Sequence, residues 1–374
     1  MVTQGFTTEQ FAGVREVLDA QLTNGADVGA SVCVHHRGEV VVDIWGGHTD
    51  VDRTLPWESD TITNVWSTTK TMTFLVALML ADRGELDFNA PVASYWPEFA
   101  ANGKAGIEVR HVMSHTAGLS GFGERLQPEE LADWERCTSV LADQEPWWEP
   151  GTMPGYHAVT QGYLLGEIVR RITGDTIGTF FRREVTEPLG ADFHIGVPES
   201  EEPRVALVIA PSKPEPGAIT VSELAIRTFT SVRMGAKSPH HRWWRAAEIP
   251  AANGHGNARS VALVQSIIAN RGETSGRRFL SSATVEGILE TQIRGFDPVL
   301  GRESHMGMGY GLSNPSMPIG PRACYWGGFG GSVVVMDLDE QLTVAYMMNK
   351  MELGASSNSR GIAIAMAAAV AAAN

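Results

Sequence analysis

The sequence predicts an α+β fold, an α/β sandwich in which an antiparallel sheet, built from both ends of the chain, is flanked by the terminal helices. Strand-forming residues concentrate within 30–45 and 322–349, whereas residues 68–173 show helical spacing of their apolar side chains. Strands and helices that are segregated along a chain in this way are typical of α+β architectures. We therefore expect a helical domain inserted between two halves of a sheet domain.

The N-terminal part of this fold is a predicted helix followed by a predicted hairpin. Residues 8–23 place one set of apolar side chains on a single helical face, namely Phe11, Val14, Val17, Leu18 and Leu22. Two runs rich in β-branched residues follow at 30–36 and 39–45. Arg37-Gly38 lies between them, which indicates a hairpin turn.

Helical patterns dominate the middle of the chain. Segments with helical spacing, or with helix breakers at their ends, are 68–83, 91–96, 107–114, 129–142 and 160–173. Gly84 and Gly174 stand where a glycine commonly ends a helix. A proline-rich loop over 211–219 and a helix-like stretch at 258–270 come later.

Strand character returns near the C-terminus, in "RACYW", "GSVVVMD" and "QLTVAYMMN", before an alanine-rich helix over 359–373. The predicted domains are accordingly a sheet domain made of residues 1–60 and 245–374 and a mainly helical insertion over 61–244. A cleft between two such units is the natural place for an active site.

Composition excludes several classes of function. The formal net charge of -14 disfavours binding to nucleic acid or to an anionic membrane surface. The longest apolar stretches, 71–81 and 361–373, are shorter than the roughly 20 residues needed to span a bilayer. Cysteines at 33, 137 and 324 indicate neither a disulfide framework nor a thiolate metal site. We expect a cytoplasmic protein.

Ser67 and Lys70 are an unusual pair at the start of the apolar helix predicted over 68–83. Side chains three positions apart on a helix are neighbours, so the hydroxyl and the amine can meet. One interpretation makes Ser67 a helix N-cap and Lys70 a solvated surface residue. However, apolar residues cover nearly the whole circumference of this helix, and the positive end of its dipole disfavours a cation.

Burial and the helix dipole both favour a neutral Lys70 amine, which lowers its pKa and lets it accept a proton. A neutral amine beside a hydroxyl is a base beside a nucleophile, the arrangement that covalent catalysis requires. The sequence S-x-x-K also begins the signature of penicillin-recognising enzymes, which adds a second polar motif and K-T-G. By itself the pair does not decide between a structural and a catalytic role.

Two downstream stretches are candidates for the remaining parts. Tyr156 lies on a loop rich in proline and glycine before an amphipathic helix, where a phenol can relay a proton or simply pack. The run "CYWGGFGG" contains Gly327 and Gly328, which let a substrate approach the main chain or merely form a turn. His111 and His115 have i, i+4 spacing but lack a zinc signature, so a structural role is expected for His115.

With Ser67-Thr68-Thr69-Lys70, Tyr156 and Trp326-Gly327-Gly328 in this order, the chain resembles the serine β-lactamase-like superfamily, specifically its class C β-lactamase and family VIII carboxylesterase branch. The stretches "VRHVMSHTAGLSG" and "PGYHAVTQGYLLGEIVRRITG" are similar to that family around its helical domain. The resemblance extends over nearly the whole chain. It implies a β-lactamase/transpeptidase-like fold, an active site at the domain junction and no cofactor or metal.

The resemblance also implies residue roles. Ser67 is the expected acylated nucleophile, and Lys70 and Tyr156 are expected to share the duty of general base. The main-chain N–H groups of Ser67 and Phe329 are the expected oxyanion hole. Trp326, Gly327, Gly328 and His157 are the expected substrate-binding residues.

Two departures from the family pattern affect the substrate. The family motif Y-x-N becomes Tyr156-His157-Ala158, so another group must orient Lys70, and His157 is one candidate. The family's K-T-G becomes Trp326-Gly327-Gly328, which removes a charge-assisted contact worth roughly 1.5–3 kcal/mol to a β-lactam carboxylate. Carboxylesterases that resemble this family often carry W-x-G there, so the substitution favours an uncharged ester.

The sequence thus predicts a serine carboxylesterase that cleaves small-molecule, short-chain acyl esters. A β-lactamase, a D-aminopeptidase-like amidase or an acyltransferase on the same scaffold is the nearest alternative. A catalytically silent binding module with this fold is an alternative of another class. No feature of the sequence indicates an oligomeric state.

Overall fold

The computed structural model describes residues 3–211, 222–352 and 359–374, and within them three sheets. In chain order the strands are β1 Gln4–Thr7, β2 Gly29–His36, β3 Glu39–Gly47, β4 Ile62–Asn64, β5 Phe193–His194, β6 Val205–Ala206, β7 His255–Gly256, β8 Glu273–Thr274, β9 Arg277–Arg278, β10 Ile293–Asp297, β11 Arg302–Met306, β12 Gly311–Leu312, β13 Ala323–Gly327, β14 Val333–Asp337 and β15 Leu342–Met348.

Helices fill the middle of the chain and stand near both of its ends. The α-helices are α1 Ala12–Thr23, α2 Lys70–Asp82, α3 Val109–Met113, α4 Trp134–Asp143, α5 Thr160–Thr173, α6 Ile177–Phe181, α7 Glu187–Leu189, α8 Glu223–Ser231, α9 Arg242–Ala246, α10 Ala258–Ala269, α11 Ser282–Gly287 and α12 Ser359–Ala372. A 3-10 turn, Trp66–Thr69, leads directly into α2. Across the described ranges, no helix is long and apolar enough to cross a membrane.

The main sheet is antiparallel and joins the two ends of the chain. Its strand order is β1-β3-β2-β15-β14-β13-β12-β11-β10. The junction of the two ends lies between β2 and β15, where Val34 is opposite Val344 and Val32 is opposite Tyr346. The α+β fold class predicted from the sequence is confirmed.

Alternation along the central strands divides the side chains between two cores. In β2, Val32 and Val34 face one apolar cluster, while Cys33 between them faces the other. In β15, Tyr346 and Ala345 divide in the same way. Helices α1 and α12 pack together over the first face, and α10 packs over the second face beneath the helical region. Successive strand side chains point to opposite faces, which explains this division.

Helix α2 crosses the interior between the main sheet and the helical region. All of its residues from Lys70 to Leu80 are buried. It contacts α5 and α6 on the helical side and α11 near the sheet. Because apolar side chains cover nearly the whole circumference of this helix, a charged amine at its N-terminus would have a high desolvation cost.

A small second sheet connects segments that are distant in sequence. Its order is β5-β7-β4-β6, so β7 at 255–256 pairs with strands from the predicted helical insertion. The predicted domain bounds, with divisions at 60/61 and 244/245, stay a prediction. The sequence analysis missed this sheet because each of its strands has only two or three residues.

Most predicted elements are present with shifted ends. The first helix begins with a 3-10 turn at Glu9–Phe11, and the predicted 91–96 segment contains only the 3-10 turn Val92–Ser94. Gly84 and Gly174 have φ angles of 74° and 77°, as expected of glycines that end helices. The predicted loop over 211–219 lies outside the described residues except for Pro211. The three cysteines are all described, and each is buried and unpaired.

Candidate active site

Ser67 lies on the tight turn that opens α2, at the junction of the sheet and the helical region. The preceding residue, Trp66, has a φ of 51°, a left-handed conformation that costs a non-glycine residue about 1–3 kcal/mol. Thr69 stabilises this turn, because its Oγ1 donates to the Trp66 carbonyl and accepts from the Gly254 N–H. The turn thereby holds Ser67 in one position.

The Lys70 side chain is fully buried and reaches back to Ser67. Its Nζ lies 2.7 Å from the Ala158 carbonyl oxygen, 2.9 Å from the Ala251 carbonyl oxygen and 3.3 Å from the Ser67 Oγ. Burial lowers the pKa of the amine well below its usual range. A neutral amine has two N–H bonds and one lone pair. If the two carbonyls accept the N–H bonds, the lone pair is left for the Ser67 hydroxyl.

Tyr156 approaches Ser67 from the helical side. Its hydroxyl donates to the Ser67 Oγ at 2.7 Å, and the Lys70 Nζ lies 4.9 Å from the centre of its ring. Burial raises the pKa of the phenol above its usual range, although the hydrogen bond to Ser67 opposes that shift. The phenol is therefore protonated at neutral pH. Ser67 thus lies between one acceptor, Lys70, and one donor, Tyr156.

Aromatic side chains pack around the Tyr156 ring. The His115 ring lies 5.0 Å from the Tyr156 ring and stacks on Trp326 at 5.5 Å. The Nδ1 of His115 accepts from the backbone N–H of His157 at 3.1 Å, which confirms the structural role expected of His115. Within the described parts of the chain, no cluster of residues is suited to hold a metal ion.

Two of the side chains predicted to bind substrate, those of His157 and Trp326, are buried. His157 is fully buried: its Nε2 accepts from the Leu119 N–H, and its Nδ1 contacts the Gly155 carbonyl. Burial lowers the pKa of His157 to about 3, so the ring is neutral. Trp326 is also buried and packs on His115 and Phe74. These two side chains pack against other residues of the site, and neither of them lines the cavity that is described below.

Gly327 and Gly328 precede Phe329, and their expected part in substrate binding stays a prediction. Both are buried, and a Cβ at Gly328 would lie only 2.3 Å from the Val65 carbonyl oxygen and 2.2 Å from the Ser332 Oγ. The Ser332 Oγ in turn donates to the Val65 carbonyl at 2.8 Å. These contacts hold the turn at 327–331, which we call the glycine turn, against the segment that leads to Ser67.

Phe329 stands at the tip of the glycine turn and is 38% exposed. Its ring packs edge-on against Trp66 at 5.4 Å. Among the described residues, its backbone N–H has no hydrogen-bond acceptor. Ser67 lies in the first turn of its helix, where backbone N–H groups lack intrahelical acceptors. Ser67 and Phe329 line the same cavity, and the oxyanion hole expected from their main-chain N–H groups stays a prediction.

A cavity of about 600 Å³ includes Ser67 in its wall. Its apolar lining consists of Trp66, Phe122, Ala158, Val159, Ala225, Phe229, Val232, Met234, Ala252, Pro298, Val299, Leu300 and Phe329. None of its lining residues within the described ranges is charged. The cavity therefore favours an uncharged, apolar ligand.

The polar side chains of the cavity wall are mostly occupied by the protein. Ser120 and Thr228 bond to each other at 2.7 Å. The hydroxyls of Thr160, Ser222 and Ser231 each donate to a backbone carbonyl oxygen, at 2.6, 2.5 and 2.8 Å. Ser67 and Tyr156 are the remaining hydroxyls of the described wall, and they bond to each other. The hydroxyls that can contact a ligand are thus concentrated at Ser67 and Tyr156.

The chain is similar to a known protein family over nearly its whole length. The family model described as Beta-lactamase matches residues 14–369. The esterase/beta-lactamase LipL of Mycobacterium tuberculosis is 36% identical over 340 residues, which cover 86% of this chain and 77% of that protein. The chain belongs to the beta-lactamase family. The resemblance inferred from the motifs is confirmed.

Solved structures of this family agree closely with the fold. A family VIII carboxylesterase superposes with a TM-score of 0.94 and 38% identity, covering 99% of this chain and 100% of that chain. A penicillin-binding protein homologue from Caulobacter crescentus gives a TM-score of 0.93 at 36% identity, with coverage of 99% and 100%. The predicted β-lactamase/transpeptidase-like fold is therefore confirmed.

The structure shows what this member of the beta-lactamase family has in place of the missing asparagine. In the motif Tyr156-His157-Ala158 the side chain that would reach Lys70 is absent, but the Ala158 backbone carbonyl accepts from Lys70. The Ala251 carbonyl is the second acceptor. Every residue has a backbone carbonyl, so the residue types in a sequence do not show which carbonyls accept from Lys70.

Sequence analysis also missed two walls of the cavity. The first is α8 with the residue after its end, where Ala225, Thr228, Phe229 and Val232 follow the i, i+3, i+4, i+7 spacing of one helical face. That spacing was a usable signal. The second wall, 298–301, is a loop whose sequence has no comparable pattern.

Proposed function

We propose that the protein is a serine carboxylesterase that cleaves short-chain acyl esters through an acyl-enzyme on Ser67. The observation that carries this proposal is the position of the Ser67 hydroxyl between a buried lysine amine and a protonated phenol. The names of two relatives support it, since LipL is called an esterase/beta-lactamase and a close structural neighbour is called a family VIII carboxylesterase.

In the acylation step, the neutral Lys70 amine accepts the proton of the Ser67 hydroxyl while the Ser67 Oγ attacks the ester carbonyl carbon. The N–H groups of Ser67 and Phe329 bind the developing oxyanion. When the carbon–oxygen bond to the alcohol breaks, the Lys70 ammonium returns its proton to the leaving alkoxide through the Tyr156 hydroxyl. This step leaves the acyl group on Ser67 and releases a neutral alcohol.

Deacylation repeats the same proton transfers with water as the nucleophile. Lys70 accepts a proton from the water, the hydroxide attacks the acyl carbon, and the Ser67 Oγ leaves and is reprotonated. Because burial raises the phenol pKa, we assign proton acceptance to Lys70 and proton donation to Tyr156. The sequence analysis expected Lys70 and Tyr156 to share the role of general base, and here each of the two residues has a separate role.

The cavity supports an uncharged substrate. The lysine of K-T-G is replaced by Trp326, and no charged side chain lines the described cavity wall. We propose that the substrate is a small-molecule ester, that no cofactor takes part, and that neither nucleic acid nor membrane is a partner. We also propose a cytoplasmic location, which the three unpaired cysteines support.

The decisive experiment is hydrolysis of p-nitrophenyl acetate and butyrate by the wild-type protein and by Ser67→Ala. We expect the substitution to abolish turnover while circular dichroism and the melting temperature stay close to wild type. Full activity in Ser67→Ala would refute the acyl-enzyme. Labelling of Ser67 by a fluorophosphonate provides a second readout, and failure to label the folded protein would favour a silent binding module.

The same assay separates the esterase from its nearest alternatives. A β-lactamase would hydrolyse nitrocefin, and a D-aminopeptidase would release amine from D-amino-acid amides. An acyltransferase would pass the acyl group to an added alcohol faster than to water. We expect ester hydrolysis to exceed each of these activities.

A further inference from the structure

A buried ion pair lies next to the glycine turn and takes no part in the chemistry proposed above. The Arg360 Nη1, near the start of α12, is 2.5 Å from the Asp27 Oδ1. Asp27 is fully buried and Arg360 is 5% exposed. The Tyr346 hydroxyl, on β15, donates to both Asp27 oxygens at 2.7 and 2.9 Å. Burying two charges costs desolvation free energy, so such a pair is weak support for stability by itself.

The other end of the Arg360 guanidinium reaches the glycine turn. Its Nη2 donates to the Gly330 carbonyl at 3.2 Å and to the Lys350 carbonyl at 2.8 Å. The Gly330 carbonyl also accepts from the Glu352 N–H at 2.9 Å. Gly330 directly follows Phe329, whose N–H is the proposed oxyanion donor. Arg360 therefore holds the residue next to that donor.

Within the glycine turn, the Gly328 N–H donates to the Ser332 carbonyl at 2.8 Å and the Gly331 N–H donates to the Gly328 carbonyl at 3.1 Å. Gly330 and Gly331 have φ angles of 90° and 131°, a region that suits glycine and that gives the backbone unusual freedom. On one side, Gly328 is wedged against the Val65 carbonyl. On the other side, the Arg360 guanidinium bonds to Gly330. Phe329 therefore lies between two residues, Gly328 and Gly330, that contact neighbouring segments of the chain.

We propose that Arg360, held by Asp27, is a positioning residue for the oxyanion hole and acts through Gly330 without touching the substrate. This inference rests on the proposed esterase function. It predicts that Arg360 affects the transition state, in which the oxyanion forms, much more than it affects substrate binding. Asp27 and Tyr346 then matter because they fix the direction of the guanidinium fork.

The test is Arg360→Lys. A lysine keeps the charge opposite Asp27, but its single amine cannot donate to Asp27, Gly330 and Lys350 in the fixed directions of a guanidinium. We expect kcat for p-nitrophenyl butyrate to fall about 10- to 100-fold with KM nearly unchanged, since loss of one oxyanion donor costs about 100- to 1,000-fold. We expect the Ki of a boronic acid, which forms a tetrahedral adduct on Ser67, to rise by the same factor as kcat/KM falls.

The matched control is Arg259→Lys. Arg259, on α10, pairs with Asp43 of β3 at 2.7 Å and has no bond to the glycine turn. All rates are divided by the fraction of protein that a fluorophosphonate labels on long incubation, so that misfolded protein does not count. We expect Arg259→Lys to keep the wild-type kcat per labelled site. A purely structural role for Arg360 would lower the melting temperature and the labelled fraction but leave kcat per labelled site unchanged, and that result would overturn the proposal.

Should Arg360→Lys fail to fold, Tyr346→Phe takes its place. It removes only the hydroxyl that holds Asp27 and leaves the ion pair intact. We expect kcat per labelled site to fall about threefold, much less than on loss of an oxyanion donor, because Tyr346 acts only through Asp27 and Arg360. An unchanged kcat would overturn the proposal. Failure of the esterase function itself would be recognised separately, because wild-type turnover would then equal that of Ser67→Ala.

Discussion

At the scale of single residues, the pair Lys70 and Lys104 shows how position decides the use of a side chain. Both lysines are fully buried, and both amines donate to two backbone carbonyls. Burial lowers the pKa of both amines. Only the Lys70 amine is known to lie beside a serine hydroxyl that opens onto a cavity. The proposed base is therefore distinguished by its neighbour, since both lysines share the same kind of burial.

This comparison provides the first prediction, Lys70→Arg. A guanidinium cannot release its proton at the pH of the assay, so the base is lost, and we expect kcat to fall about 100- to 10,000-fold. Lys104→Arg is the matched control, because it makes the same change in a similar environment distant in sequence from Ser67. Equal activity losses in the two variants would show that the effect comes from packing.

The lowered pKa of Lys70 also predicts a pH dependence. Above this pKa the folded protein has a neutral amine, and below it the amine is protonated and cannot accept the Ser67 proton. We therefore expect kcat/KM to fall as the pH is lowered through that pKa. Lys104→Arg should keep the same acid limb. A profile that falls only on the alkaline side would contradict the assignment of Lys70 as the base.

Tyr156→Phe tests the donor on the other side of Ser67. The phenol is protonated at neutral pH because burial raises its pKa, so its loss removes a proton donor to the leaving alcohol. We expect kcat to fall about 100-fold or more, measured with p-nitrophenyl butyrate. Tyr163→Phe is the control, since Tyr163 is also buried and donates to the Leu131 carbonyl. A Tyr156→Phe variant as active as this control would exclude the proton relay.

At the scale of elements, the glycine turn has no space for a Cβ at Gly328, whereas helix α1 has space for one at Gly13. A Cβ at Gly328 would come within 2.3 Å of the Val65 carbonyl oxygen, whereas a Cβ at Gly13 in α1 would meet nothing within 4 Å. We expect Gly328→Ala to displace the turn, lower kcat at least about tenfold and cost about 1–3 kcal/mol of unfolding free energy. Gly13→Ala should instead raise that free energy by about 0.5–1 kcal/mol. Chemical denaturation with a parallel esterase assay measures both effects.

The elements that sequence analysis predicted are the ones with a long periodic pattern. The helix at 160–173 was predicted with its observed bounds, and β2, β3, β14 and β15 lie where their apolar runs indicated. The edge hairpin of β10 and β11 was missed, because its residues are mostly exposed or half-buried and include Arg294 and Glu303. Short runs of polar residues at a sheet edge have no apolar alternation from which a strand could be predicted.

For the site, sequence analysis predicted the three side chains that meet at Ser67 but not the backbone carbonyls that accept from Lys70. Ser67, Lys70 and Tyr156 meet in space, as their motifs suggested. The carbonyls that orient Lys70 belong to two alanines, whose side chains say nothing about such a role. Trp326 and His157 were placed in the substrate site from motif position alone, which gives the order along the chain but not the direction of a side chain.

At the scale of the whole molecule, the uncharged cavity predicts discrimination against charged acyl groups. The p-nitrophenyl esters of butyrate and of succinate have acyl chains of similar size, but the succinate ester carries a carboxylate at its end. Moving that carboxylate into an apolar wall costs several kcal/mol unless it is paired. We expect kcat/KM for the succinate ester to be about 100-fold lower, measured at equal ionic strength. Equal values would show that an undetected positive group reaches the substrate.

The pairing of β2 with β15 has a consequence for synthesis of the chain on the ribosome. Strand β2 ends at residue 36 and its partner β15 begins at residue 342, so the N-terminal hairpin emerges long before the strand that completes its sheet. Until then one edge of β2 is open, and open strand edges promote aggregation. A nascent chain halted before residue 342 should therefore be recovered mainly with chaperones or in the insoluble fraction. Esterase activity should appear only after the last strand and α12 have left the ribosomal exit tunnel.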